Sequence, residues 1–472
     1  MRISRLVVAA VSSFGIAVAT VGSTAIGGAA ATAVATASPT IVVQPGAVHA
    51  GGASDAPPTT AYCVQHYKIA CYEPAQIRRA YNLGPLLSTG IDGRGQTIVI
   101  VDSFGSPTVA HDLAVFDKAL HLPAPPSLLA IQPAGKVPAY DPNNSGMVGW
   151  AGETTLDVEW AHTMAPHARI LLVETPVSET EGTVGFPQIV TAEKYVINHH
   201  LGGVISQSFS ATEETFPSQA SLLALRGAYT DAARKGVTVL AAAGDSGAAD
   251  VKFDQSTYYR YPVTSWPDSD PLVTGVGATQ LHLNARGDRT APDSVWNDTY
   301  TVATNQFIDG GNGPNPMASG GGKSVFFARP GYQNPVRDIV GSHRGVPDIS
   351  MSGACSGGVD IYQSFAGQPA GWYPTCGTSE ATPLFAGVVA LADQVAHHGL
   401  GVINPALYRL SALRAPGIVD VTRGSNTVSF SQGGKLQTVH GFAARAGYDL
   451  ASGIGTVDAA RFVFELASLA GH

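Results

Sequence analysis

Gly377-Thr378-Ser379, with Pro383 four residues on, runs into the apolar stretch Leu384–Ala392. A glycine turn that feeds a buried helix places Ser379 on the first helical turn. The N–H groups there have no intrahelical acceptor, and the helix dipole favours negative charge. Pro383 fits an early turn, where its missing N–H costs least. An oxyanion can therefore be held beside Ser379, which makes this serine a candidate nucleophile. A lone Gly-Thr-Ser is more often an N-cap on a core helix, so the serine needs partners.

The commonest partner is histidine. The chain has 14 histidines, and none sits in a glycine-flanked strand-to-helix turn that would present it to a nucleophile. His199-His200 and His397-His398 end apolar periodic stretches and read as exposed helix C-terminal caps. The remaining base is a carboxylate. Glu153 and Asp157 lie four apart in Glu153–Met164, a helical stretch with Leu156, Trp160, Thr163 and Met164 on one face, closed by Ala165-Pro166. Two carboxyls held together acquire split pKa values, so one can act as base while the other holds a proton. The 35 acidic residues would supply roughly two or three such pairs by chance, so the spacing alone decides nothing.

The elements that position these residues alternate. Strands are expected over Thr97–Asp102, Ala168–Val173, Gly203–Phe209 and Val237–Ala243. Helices are expected over Tyr72–Tyr81, Asp112–Leu120, Pro187–His199 and Gln219–Arg234. This alternation argues an α/β fold, a parallel sheet with helices on both faces. In such sheets the site lies at the C-terminal strand ends, where Asp102, the loop after Phe209 and Asp245 in Gly244-Asp245-Ser246-Gly247 all fall. The pattern loosens from about residue 280. The glycine run Ser319–Ser324 lacks the spacing of a phosphate loop.

Composition narrows the class. Of 472 residues 44% are hydrophobic, which supports a large core, while a net charge of −8 without a basic block argues against nucleic-acid binding. Arg2 and Arg5 precede an apolar stretch that continues in small residues to Ala37, so residues 1–37 read as an export signal. Residues 38–71 read as a linker or short leader, and 72–472 as the catalytic domain. No later stretch is apolar enough to span a bilayer, so a secreted, extracellular monomer without stable membrane association is expected. Four cysteines suit export, with Cys63 paired to Cys71 and Cys355 to Cys376, the second bridge bracing the loop that carries Ser379.

Taken together, these features resemble the sedolisins, the serine-carboxyl peptidases. The resemblance covers about residues 73–465. It rests on Glu153-x-x-x-Asp157 with Ala165-Pro166, on Ala243–Gly247, and on Gly320-Gly321-Gly322-x-Ser324-x-x-Phe327 with Pro330-x-Tyr332-Gln333. Val346–Ser350 and Gly377-Thr378-Ser379 with Pro383 complete it, in matching order. It implies a subtilisin-like fold that uses Ser-Glu-Asp in place of Ser-His-Asp. Ser379 would be the nucleophile, Glu153 the general base and then acid, Asp157 its orienting partner, and Asp245 a protonated donor to the oxyanion. It further implies a C-terminal calcium-binding segment with one structural Ca²⁺, held by the carboxylates of Asp420 and Asp449 and the carbonyls of Val421, Arg445 and Gly447.

The implied activity is acid-acting hydrolysis of protein or peptide substrates through an acyl-enzyme on Ser379. A tripeptidyl-type aminopeptidase and a non-catalytic secreted binding protein of the same fold are the alternatives. Several positions depart from the family pattern. Arg445 stands where glycine is usual, and Phe209 where tryptophan is frequent. Glu380 follows the nucleophile where alanine is common, adding a carboxylate expected to lie near the site, and Asp102 is placed to hydrogen-bond the Glu153 pair. About 35 residues separate the expected signal cleavage from Tyr72, too few for the folded pro-domain that family precursors carry. Either the protein folds without one or the short leader serves.

Overall fold

The computed structural model describes residues 45–301 and 314–470. The expected export signal, residues 1–37, lies outside the described residues.

The apolar stretches pair into one eight-stranded sheet. Its strands are β1 (Thr97–Ser103), β2 (Leu128–Ile131), β3 (Arg169–Thr175), β4 (Val204–Gln207), β5 (Thr238–Ala242), β6 (Thr274–Gln280), β7 (Ser294–Val295) and β8 (Ile349–Ser352). Their order is β2-β3-β1-β4-β5-β6, with β7 and β8 both pairing with β6. Every pair is parallel except β6 with β7. Two-residue alternation splits the side chains between two cores. Ile98 and Ile100 of β1 face one apolar cluster with Trp160 and Phe385, while Val99 and Val101 face another with Phe186 and Tyr229. The expected helices on both faces are therefore present. One face carries α1 (Val109–Leu120), α2 (Ser145–Met164), α5 (Thr378–Ala396) and α6 (Ala459–Leu469). The other carries α3 (Phe186–Asn198) and α4 (Gly227–Lys235).

Two helices set the site. The Asn144 side chain caps α2 by accepting from Met147 N at 3.2 Å. The helix then runs 20 residues, far beyond the expected start at Glu153, and ends at Ala165-Pro166. Helix α5 is buried from Thr378 to Asp393. It crosses α2 at Gly387, where a Cβ would come within 2.3 Å of Met164 Cβ. Only glycine permits that approach, so Ser379 and the Glu153–Asp157 pair ride on helices in direct contact.

A second sheet delivers the chain into α5. Strands β9 (Gly358–Gln363) and β10 (Gly371–Cys376) are antiparallel. Cys71–Tyr72 pairs with β9, and Gly46–Ala47 and Gly51–Gly52 pair with β10. Both expected disulfides are present, Cys63–Cys71 and Cys355–Cys376.

Three expectations need correction. The helix expected over Gln219–Arg234 breaks into Gln219–Leu223 and α4. Gly227 lies at the break, and a Cβ there would meet Lys194 Nζ. Strand β6 carries two glycines in Thr-Gly-Val-Gly-Ala-Thr-Gln, which hid it from a pattern reading. The region beyond 280 is also more ordered than expected, since β8 adds a further parallel strand to β6.

The core holds carboxyls with no cationic partner. Asp360 and Glu380 are fully buried, and all four of their oxygens lack a hydrogen bond. Burial pushes both well above the ordinary carboxyl range, as it does Glu159 and Asp393. A group whose folded pKa is raised contributes its full stability below the unfolded value near ~4. That stability is lost as pH rises through the folded value, at about 1.4 kcal/mol per unit per group. Calorimetry should therefore show a melting temperature at least about 5 °C higher at pH 4 than at pH 8. A higher value at pH 8 would contradict this.

Candidate active site

The candidate side chains come from the middle of α2, the first turn of α5 and the ends of two sheet strands. Helix α2 presents Glu153 and Asp157 one turn apart. Ser208 follows β4, and Asp245 follows β5, at the C-terminal ends of two neighbouring parallel strands. Ser379 sits on the first turn of α5. Glu153, Ser208, Asp245, Thr378 and Ser379 line one cleft of about 270 Å³. Asp157 lies behind it, fully buried.

Asp157 Oδ1 accepts a 2.7 Å bond from Ser208 Oγ, a hydroxyl that also reaches the Ser379 carbonyl at 3.4 Å. Asp157 Oδ2 and Glu153 Oε1 are buried without partners. Burial and the Asp102 charge raise Glu153 well above its ordinary value, and the Ser379 and Ser208 hydroxyls offset only part of this. Asp157 is raised by burial, then by Asp102 and Glu153, against the Ser208 bond. Asp102 is itself fully buried with neither oxygen bonded, and burial pushes it up to about 7. Three carboxyls crowded without a cation cannot all ionise, so this cluster retains protons.

Asp245 is held differently. Its Oδ1 accepts from Thr378 N and Thr378 Oγ1, both at 2.7 Å. Burial nevertheless pushes it up to about 6. Gly377 has φ +139°, and a Cβ there would lie 2.7 Å from Asp245 Oδ2. Glycine is thus required for Asp245 to lie against the start of α5. The glycine run braces the same turn: Gly320 N donates to Gly244 O at 2.7 Å and Ala318 N to Asp245 O at 2.9 Å. Its role is packing against the Asp245 turn, in keeping with a spacing unsuited to phosphate.

Two contributors were not picked out from sequence. Ser208 and Thr378 lie 51 and 133 residues from the carboxylates they bind, so only the fold reveals them. Glu380 is a correction. It does not line the cleft; it is fully buried, turned toward Ser352 and within electrostatic reach of Tyr72. Its position on the helix directs it into the core, one residue round from Ser379.

The residues proposed for calcium converge on one loop. Asp420 accepts from Gly447 N, and Asp449 Oδ2 from Arg445 N, both at 2.9 Å. Asp449 Oδ1 takes three donors, Ala451 N, Ser452 N and Ser452 Oγ. Val421 is buried beside them. Gly447 has φ +78°, whereas Arg445 is absent from the residues with positive φ, so its place needs no glycine. Neither carboxylate is paired with a basic side chain among the described residues. Two carboxylates without a basic partner suit a hard, oxygen-seeking cation.

Residues 133–433 match the profile of the Subtilase family. Kumamolisin from Bacillus sp. (strain MN-32) is 30% identical, over 82% of this chain and 62% of its own length. Tripeptidyl-peptidase sed5 of Aspergillus fumigatus is 33% identical, over 54% of this chain and 41% of its own. The chain thus spans less than two thirds of these relatives. Among solved structures, Pseudomonas sedolisin, a serine-carboxyl proteinase complexed with pseudo-iodotyrostatin, superposes with a TM-score of 0.69. It is 24% identical, covering 85% of this chain and 99% of that one. The chain belongs to the subtilase family, within its sedolisin (serine-carboxyl peptidase) branch.

Proposed function

We propose that this protein is an acid-acting endopeptidase that hydrolyses peptide bonds through an acyl-enzyme on Ser379. The observation that carries the reading is the cleft itself: among the described residues it is lined by Ser379, Glu153 and Asp245 and by no histidine. Glu153 takes the Ser379 proton as its oxygen attacks the scissile carbonyl, then returns it to the leaving amine. Asp157 shares the proton of the pair, and Ser208 fixes Asp157 by donating to Oδ1. Protonated Asp245, held by Thr378, donates with the Ser379 N–H to the tetrahedral oxyanion.

Acid conditions follow from these roles. An ionised Asp245 has no proton to donate and repels the oxyanion, so turnover falls as pH rises through its value of about 6. Tripeptidyl release from free N-termini is the second reading, favoured by the likeness to the sed5 peptidase. The two disulfides suit work outside the cytosol, as a secreted protein. One structural Ca²⁺ would be held by Asp420 and Asp449 with the carbonyls of Val421, Arg445 and Gly447, fastening the 445–449 loop.

Three outcomes are expected. An N-acetylated, internally quenched peptide is cut at pH 4, and Ser379→Ala or Glu153→Gln lowers kcat/KM by at least about 10³-fold. Equal rates for wild type and Ser379→Ala would overturn the reading, and cleavage of only the free-amine peptide would move it to tripeptidyl release. Ser208→Ala removes a bond that lowers Asp157 and Glu153, so the acid limb of the kcat/KM profile moves up by about one pH unit; an unmoved limb contradicts Ser208's role. Calcium raises the melting temperature by several degrees, an effect lost in Asp420→Ala; equal melting with chelator and with calcium contradicts the site.

A further inference from the structure

One hairpin outside the catalytic machinery packs against the loop that walls the cleft. Apolar and polar residues alternate in Val428–Gln432, and Gly433-Gly434 follows. Both glycines have positive φ, +60° and +70°, as a two-residue hairpin turn matched to strand twist needs. Strands β11 (Val428–Gln432) and β12 (Lys435–Val439) accordingly pair antiparallel, with Gln432 opposite Lys435. Val428, Phe430 and Val439 are buried against Ala248 and Ala249, just past Asp245, and Tyr258 packs on the same cluster.

The two ends of the hairpin hold different things. At its base, Ala248 N donates to Asn426 O at 2.9 Å, and a Cβ on Gly247 would come within 2.4 Å of Val428 Cγ1. Toward its tip, the Gln432 amide takes both backbone groups of one residue. Its Oε1 accepts from Tyr258 N at 2.7 Å, and its Nε2 donates to Tyr258 O at 3.3 Å. The Phe430 and Tyr258 rings lie 4.8 Å apart. Tyr258 in turn closes a small loop: it bridges to Val251, Lys252 N donates to Thr257 O at 2.8 Å, and Tyr259 N donates to Asp250 O at 2.9 Å. Val251 and Gln255 of this loop line the cleft together with Ser379. Gln255 has φ +50°, a left-handed conformation that a non-glycine residue keeps only where its surroundings fix it.

We propose that Gln432 and Phe430 are positioning residues for substrate binding, holding the 250–259 loop so that Val251 and Gln255 present a fixed wall to the bound peptide. The inference rests on the peptidase reading and adds a determinant of its KM. The oxyanion turn is fixed by other bonds. Gly320 N donates to Gly244 O and Ala318 N to Asp245 O, and the base of the hairpin holds Gly247 and Ala248 without Gln432. Removing the Gln432 amide therefore loosens the wall while Asp245 stays in place. Binding lost equally from the ground state and the transition state raises KM and leaves kcat alone.

The test measures kcat and KM separately on an N-acetylated, internally quenched peptide at the pH of maximal turnover. Gln432 is only partly buried, so Gln432→Ala keeps the fold. It is expected to raise KM about fivefold, with kcat within about twofold of the wild type. Gln432→Glu keeps an acceptor for Tyr258 N, and its KM is expected to return to within about twofold of the wild type. Phe430→Leu, which removes the ring contact with Tyr258, is expected to raise KM as well. KM does not depend on how much of the enzyme is folded, so a partial loss of fold does not imitate the effect. An unchanged KM in Gln432→Ala overturns the positioning role, whatever happens to kcat, and leaves the peptidase reading standing. A KM raised equally in Gln432→Ala and Gln432→Glu overturns it too, because the hydrogen bond to Tyr258 N then contributes nothing. No hydrolysis by the wild type overturns the peptidase reading and the positioning role with it.

Discussion

The site depends on buried carboxyls gathered around one serine without a cation among them. Burial and then the Asp102 charge raise Glu153 and Asp157, and Asp245 is raised by burial and, less, by Asp250 against two hydrogen bonds from Thr378. Such a group is tolerable only when it keeps protons. The same condition makes a carboxyl a hydrogen-bond donor, which an oxyanion needs. Acidity thus enters the chemistry through the stability of the neutral form, and the core carboxyls at Asp360 and Glu380 extend that condition to the fold.

Holding those groups demands rigid support. The contact between α2 and α5 at Gly387 holds the helix that carries Glu153 against the one that carries Ser379, and the parallel order β4-β5 places Ser208 and Asp245 at neighbouring strand ends. Thr378 links the halves, since its N–H and hydroxyl bind Asp245 while the next residue is Ser379, the proposed nucleophile. Gly377 allows that contact, and the backbone around Gly320 locks the turn from behind. Among the described residues that line the cleft there is no histidine.

Much of this was legible before the fold was known. Ser379 was marked by its glycine turn, and Glu153 with Asp157 by helical spacing, although neither signal was decisive singly. The alternation that implied a parallel sheet rests on β-branched strands such as Thr97–Ser103, where local pattern and tertiary role agree. Strand β6 was missed because two glycines weaken its pattern, and Gln219–Arg234 was over-extended because a single glycine interrupts it. Ser208 and Thr378 act on residues far away in sequence, which no local pattern encodes. Glu380 was misjudged for a related reason: adjacency along a helix rotates a side chain by about 100°, so the neighbour of a cleft residue faces the core. Glu179 and Glu181 follow β3 and Asp250 follows β5, so their meeting on one cleft appears only in the fold.

The most direct test of the central claim is the alkaline limb of kcat/KM in wild type and in Asp245→Asn. Asparagine donates a hydrogen bond at every pH, whereas aspartate donates only when protonated. The wild-type limb is expected near pH 6, where Asp245 loses its proton, and in the variant it should move to higher pH with activity retained above that point. A limb that stays in place in Asp245→Asn would show that the oxyanion donor does not titrate, and the account of acid activity given above would fail.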